Sequence, residues 1–328
     1  CCYFFINQQV ILLAKVELVN NKSSTLVNVE LMIYLINFNN NMKRDYLLFI
    51  VLTVLFTSPV LSQNNELSSQ VSQRPYQATE RITIDTCKLR VQYSMNSVND
   101  VKNPSLKATN IMLLQIGKHF SKYSDYYMLR SDSFSTIYAQ QKMDEIEALK
   151  KILVMTKGCK SFNIFKNYPN KKISTYDYMP MGGFYKYNES MDRPKWKLIS
   201  GNMTICGYIC KKAIVSFRGR NYTAWYTEKI AISDGPWKFW GLPGLILNIS
   251  DDKNEYSFEC IAIEKPRWTD KIYILDLDYF GTTKERFNAG VKKFYENPKG
   301  VIESSGNIKS GLPGNIKSRP YNPIELSE

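Results

Sequence analysis

Chemistry needs nucleophiles, bases or metal ligands at workable spacing, and this chain offers few. It has one histidine, His119, among 328 residues. A Ser-His-Asp or Cys-His site would depend on that single ring, as would a histidine-based metal centre. His119 stands between Lys118 and Phe120, in an expected strand or strand edge. The sequence holds no G-x-S-x-G, no H-E-x-x-H, no phosphate-binding loop and no dinucleotide fingerprint. Among carboxylates, Asp276 and Asp278 alternate with Leu275 and Leu277, which would set both acids on one face of a strand. Such a pair can bind a divalent cation or do acid–base work, and a solvated strand face explains it as well. Asp251-Asp252 falls in an expected hairpin turn, where Asp hydrogen-bonds its own backbone. Cys206 and Cys210 are separated by three residues rather than two, with no histidine near, so they make no metal knuckle. No cofactor and no metal is implied, and no catalytic residue is assigned.

The aromatic residues are the real excess. Trp225, Tyr226, Trp237, Phe239 and Trp240 lie within 16 residues. One reading makes them core or edge aromatics that close a β-sheet. The other makes them a contact surface for an apolar ligand or an envelope partner. The elements that position them are turns. Gly235 and Pro236 mark a first bend, and Gly241, Pro243 and Gly244 a second. Pro243 presets φ for the first central position of a turn, and Gly244 is expected to supply a positive φ at the next, a type II turn. Arg218-Gly219-Arg220 reads as the charged tip of a hairpin running from Ala213 to Tyr226.

Those residues carry a resemblance. "GLPGLI" at Gly241 to Ile246 follows "AWYTEKIAISDGPWKFW" and "GYICKKAIVSFRGRNYTAWY", and this set is similar to the GLPGLI family, also called the Porphyromonas-type family, found chiefly in Bacteroidetes. The closing "YNPIELSE" resembles that family's "NPIE" ending. The resemblance covers residues 80–328 and implies an exported envelope protein. It implies no activity, so no catalytic residue can be carried over.

Export is also legible without the resemblance. From Met42 the chain reads Lys43, Arg44, Asp45, then an apolar run from Tyr46 to Phe56, then small residues to Ser62. This is the layout of a signal peptide (42–62) with a cut before Gln63, and its apolar run is far shorter than the roughly 20 residues that span a bilayer. Residues 1–41 read as an upstream extension foreign to the folded product. The expected localisation is the periplasm or cell envelope, with no transmembrane helix in the mature chain. The formal charge is +13, but Lys and Arg are scattered rather than clustered. That favours an anionic envelope surface over nucleic acid as any electrostatic partner. Five cysteines follow the cut: Cys87, Cys159, Cys206, Cys210 and Cys260. Export permits disulfides, the number is odd, and the pairing stays open. If Cys206 and Cys210 share a strand, they sit about 13 Å apart at about 3.3 Å per residue, too far for a mutual bridge.

Residues 63–79 read as a disordered lead-in. A strand is expected from Ile82 to Tyr93 with a phase change near Thr86, and further strands over 112–117, 118–129 and 136–139. The apolar positions Met143, Ile146, Leu149, Ile152 and Leu153 predict an amphipathic helix over 138–155. From Phe162 to Ile263 short Tyr/Ile/Val-rich runs alternate with Pro, Gly, Asn and Asp clusters. Leu245–Ile249 and Tyr256–Ile263 form a second hairpin. Thr282 and Glu285 suggest a capping box for a last helix, 283–297. Residues 299–328 form a tail in which Gly306 to Ser310 is duplicated at Gly314 to Ser318.

Strands joined by tight turns without intervening helices give an antiparallel sheet. The expected architecture is α+β, mainly antiparallel β: one β-rich domain over 80–298, a strongly curved sheet or half-barrel with two helices. The expected function is a non-enzymatic binding or interaction protein for an apolar ligand or envelope partner. A carboxylate-dependent periplasmic hydrolase using Asp276 and Asp278 is the alternative.

Overall fold

The computed structural model describes residues 74–180, 182–266, 270–305 and 316–327. The signal-peptide reading, residues 1–41, most of the lead-in and most of the duplicated segment lie outside the described residues.

The described chain is mostly antiparallel β with four helices. Its strands are β1 (Arg81–Thr86), β2 (Leu89–Val98), β3 (Lys107–Ile116), β4 (Ser121–Asp125), β5 (Asn163–Lys166), β6 (Lys172–Met179) and β7 (Gly183–Ser190). They continue with β8 (Lys197–Ile205), β9 (Tyr208–Phe217), β10 (Arg220–Thr227), β11 (Leu245–Asp251), β12 (Tyr256–Glu264), β13 (Lys271–Leu275) and β14 (Phe280–Gly281). The helices are α1 (Tyr126–Gln140), α2 (Glu145–Met155), α3 (Lys284–Glu296) and α4 (Pro298–Ser304).

Twelve strands form one sheet in the order β14-β7-β6-β5-β4-β3-β2-β12-β11-β10-β9-β8, and β1 pairs with β13 in a second. Every pairing is antiparallel except the short β14–β7 contact. The long runs of neighbours in sequence order follow from tight hairpins. The departure is β2 beside β12, which joins the first strands of the large sheet to the last hairpin. Neither sheet is strongly curled or closed, which leaves the half-barrel expectation without support.

The chain separates into two compact units. The larger comprises Thr79–Arg130, Cys159–Asn297 and Ser318–Glu328 and contains both sheets and α3. Its main core is built from Val91, Tyr93, Leu114, Tyr123, Phe239, Leu245, Ile246, Ile249 and Phe258, contributed by β2, β3, β4, β11 and β12 and by the segment before β11. The described residues of the smaller are 74–78, 131–158, 298–305 and 316–317. Within its described part, residues 74–76 lie along the α1–α2 connection: Tyr76 N donates to Met143 O, and Glu145 N donates to Arg74 O.

Several local expectations are corrected. The strands foreseen over 118–129 and 136–139 give way to β4 followed at once by α1. Asp125 is the reason, since its carboxylate accepts Tyr127 N at 2.9 Å and so satisfies a free donor of the first helical turn. The single helix foreseen over 138–155 is two. Lys142 takes φ 51°, which ends α1, and Asp144 then caps α2 by accepting Glu147 N at 3.0 Å. The foreseen first strand breaks at Cys87 into β1 and β2, which enter different sheets. The final helix forms as expected, but its cap is Thr283 rather than Thr282, accepting Arg286 N at 3.3 Å. Asp276 and Asp278 lie beyond the end of β13, both exposed, and not in a strand.

Candidate functional site

The hairpin of β9 and β10 turns over Arg218 and Gly219, whose φ values of 51° and 79° are those of a two-residue primed turn. The sequence reads Arg218 and Arg220 as the charged tip of this hairpin. The structure instead buries them against the segment 321–327 of the same chain.

Arg220 is the centre of this contact. Its guanidinium donates to Asp251 Oδ2 at 2.9 Å, Glu255 Oε2 at 2.7 Å, Asn322 Oδ1 at 2.8 Å, Pro323 O at 2.8 Å and Ile324 O at 3.0 Å. A planar fork of five donors suits this task, which a lysine could not perform. Asn322 also donates to Val98 O at 2.8 Å and accepts Tyr256 Oη at its carbonyl at 2.6 Å. One residue therefore ties the segment to β2, β10 and β12. Leu326 N donates to Arg218 O at 2.9 Å, and a side chain on Gly219 would meet Leu326 and Ser327 at 2.8–2.9 Å.

A second group of charges adjoins it. Lys238 is buried between two carboxylates, Glu189 of β7 and Glu325, the latter at 2.5 Å. Arg218 reaches the same two carboxylates at 2.7 and 2.9 Å, and Lys284 of α3 at 3.5 and 3.3 Å. Burial opposes ionisation of Glu325, but the Lys238 and Arg218 cations outweigh it and hold the carboxyl below its usual range. Burial has the opposite outcome at Asp177 on β6. It pushes that carboxyl from 3.8 to about 6, against hydrogen bonds from Ser161 Oγ at 2.6 Å and Tyr178 N at 2.7 Å.

The aromatic cluster sits directly behind these charges. Trp237, Phe239 and Tyr226 are only 3%, 0% and 1% exposed. Phe239 packs edge-on against Tyr222 and Trp237, with ring centroids 4.7 and 5.1 Å apart. Trp225 on β10 is half-buried at the margin of the core, with Lys212 Nζ 5.4 Å from its ring centre. Trp240 is half-buried too, and its carbonyl accepts Trp196 Nε1 at 2.8 Å. The five aromatics named from the sequence are thus divided between the core and the surface rather than gathered around one opening.

The two turns work differently from the sequence expectation. Gly244 does not have a positive φ, so the type II turn is not formed there. Glycine is required because a Cβ at 244 would lie 2.1 Å from the Thr227 carbonyl oxygen. The positive φ belongs to Gly241, at 98°, and its carbonyl accepts both Arg193 Nε and Nη2, at 2.9 and 2.5 Å. Trp237 also has φ 51°, a strained value for a bulky residue. Its turn is held from beneath by Lys166, which is buried, pairs with Asp234 and donates to Gly235 O at 2.5 Å. Pro236 is buried in the same turn, while Pro243 is exposed.

Sequence reasoning missed Glu189, Lys284 and Lys166. Only Lys238 carried a visible signal, as a lysine framed by Trp237, Phe239 and Trp240 where the flanking residues point to burial. His119 lies exposed in the β3–β4 turn rather than in a strand. There its backbone N–H donates to Asp85 at 2.7 Å.

Fold and site together define an antiparallel β-sheet protein whose most distinctive residues form a buried ionic clasp. Residues 217–248, which hold Arg218, Arg220, Lys238 and both turns, match the model of a family described as a protein of unknown function (Porph_ging). No curated protein matches the chain. Among solved structures it is similar to PNGF-II in two crystal forms, P21 and C2, at 14% and 15% identity and a TM-score of 0.41 in each case. The matches cover 62% of this chain but only 33% and 32% of those chains, so it spans about a third of their length.

Proposed function

We propose that this is an exported envelope protein of the GLPGLI type that acts by contact with a partner rather than by bond-breaking. The charged side chains of the signature are engaged with one another in the clasp, which supports a structural role for them. Trp237, Phe239 and Tyr226 fill the core, so contact with a partner falls to other surfaces.

The observation that carries the reading is the β8–β9 hairpin. Strand β8 is an edge of the large sheet, paired only with β9 among the described residues. Leu198, Met203 and Ile209 are 57%, 43% and 68% exposed there, beside Lys197 and Lys211. A solvent-facing edge with unpaired backbone groups and apolar side chains suits the addition of a partner strand. The irregular register between Ile199 and Asn202 blunts that edge against indiscriminate pairing. The half-buried Trp225 lies two strands in, next to Lys212, and would adjoin such a partner.

The test uses a photo-crosslinking residue at position 198, 203 or 209 in the native envelope, with position 94 on β2 as a control. A defined adduct at the hairpin and none at the control is expected. Absence of adducts at all three hairpin positions would remove the reading. The export component is tested apart from this, by sequencing the N-terminus of the mature protein, expected at Gln63.

A further inference from the structure

We propose that Cys206 and Cys260 are a disulfide-forming pair that fastens the tip of the β8–β9 hairpin to β12. Their sulfurs lie 3.6 Å apart, and the Cys206 thiol also contacts Cys260 O at 3.1 Å. In the sheet order β9 is three strands from β12, a lateral separation of about 14 Å at about 4.8 Å per strand. A contact of 3.6 Å therefore means that the hairpin tip reaches over β10 and β11 to the face of β12.

Local backbone geometry places both sulfurs. Ile205 and Tyr208 pair, leaving Cys206 and Gly207 as a two-residue loop with φ 48° and 79°. Cysteine is a poor choice for a positive φ on conformational grounds, since Asn or Gly fits that position at less cost. Its presence there is explained if the sulfur has a task. Cys260 sits where the β12–β2 register shifts, and that irregularity leaves Ile261 without a partner on β2. Cys206 is exposed, whereas Cys260, Cys210, Cys87 and Cys159 are buried. The pair thus combines one thiol that an oxidant can reach with one held behind it.

The reaction is thiol–disulfide exchange with an external disulfide, either a small one or that of an oxidoreductase. The Cys206 thiolate attacks one oxidant sulfur, and the oxidant's other sulfur leaves as a thiol. Cys260 then loses its proton and attacks the Cys206 sulfur, expelling the second oxidant thiol. Two protons and two electrons pass from the protein to the oxidant. Burial raises the Cys260 thiol well above its usual range, which leaves the first attack to the exposed Cys206. An exported protein meets such oxidants, although the inference stands on the geometry and not on the partner reading.

The test is oxidation of the full-length protein by oxidised glutathione, alkylation of the remaining thiols, and non-reducing peptide mapping. A peptide linked through Cys206 and Cys260 is expected, with Cys87, Cys159 and Cys210 alkylated after unfolding. Oxidation should raise the melting temperature on the order of 5 °C. That rise should vanish in Cys206→Ser and persist in Cys210→Ser. A Cys210–Cys260 link, or alkylation of both Cys206 and Cys260 after oxidation, would overturn the proposal, and both readouts come from the unmutated protein.

Discussion

Asp177 and Glu325 show how one force yields opposite outcomes at two carboxyls. Both are removed from water, which penalises the charged form. Glu325 faces Lys238, Arg218 and Lys284, and its carboxyl is held low. Asp177 has two neutral hydrogen-bond donors, with lysines acting only as weaker contributors, and its carboxyl rises to about 6. The linkage signs differ accordingly. A raised acid in the folded state binds its proton more tightly than in the unfolded chain, so stability from Asp177 falls as pH rises from 3.8 to about 6. Glu325 contributes stability above its unfolded value of 4.5, and that contribution is lost as pH falls through the lower folded value. Asp177→Asn should therefore raise the melting temperature at pH 7.5 and have little effect at pH 4. Thermal melts at the two pH values check this. Equal destabilisation at both would show that the hydrogen bonds of Asp177 matter and its charge does not.

The turns of the signature make the case at the scale of elements. Gly244 is needed for space and not for conformation, because the chain leaving the turn passes against the backbone at Thr227. Gly244→Ala would force the turn away from β10 and should cost more than about 2 kcal/mol. Gly281→Ala is the control, since nothing lies within 4 Å of a Cβ there, and it should change stability by less than about 0.5 kcal/mol. Melting curves of the two variants decide it, and a tolerated Gly244→Ala would mean the close approach is not real.

The same residues show what sequence patterning can and cannot reveal. The hairpins β9–β10 and β11–β12 were legible because apolar alternation and Gly, Asn and Asp turns are local signals. The necessity of Gly at 241 and 244 was legible, while the reason for Gly244 was not, because it depends on a strand 17 residues away in sequence. Tyr126 and Tyr127 read as strand by propensity, and one capping bond from Asp125 overrode them. The clasp was invisible for the same cause. Glu189, Lys238 and Glu325 are widely separated in the chain, and although the aromatics around Lys238 point to its burial, nothing local at Glu189 or Glu325 distinguishes its partners from solvated surface charges.

For the molecule as a whole, the segment 321–327 is a part of the large sheet's support rather than an appendage. It supplies Asn322 to Arg220 and Val98, and Glu325 to Arg218, Lys238 and Lys284. A buried ion pair adds little net stability over an apolar substitute, yet removing one partner is costly because it leaves the others uncompensated. The aromatics of the signature depend on the same support, since Lys238 lies between Trp237 and Phe239 in the chain and 5.5 Å from the Trp237 ring centre. The signature and the distant "NPIE" residues are in this way one structural unit. The central claim is that the signature's charges serve this clasp. It is tested most directly by the melting temperature of Glu325→Gln and of a chain lacking residues 320–328. Loss of Glu325's charge should destabilise the protein by about 3 kcal/mol and the truncation by more. Melting temperatures unchanged in both would contradict the claim.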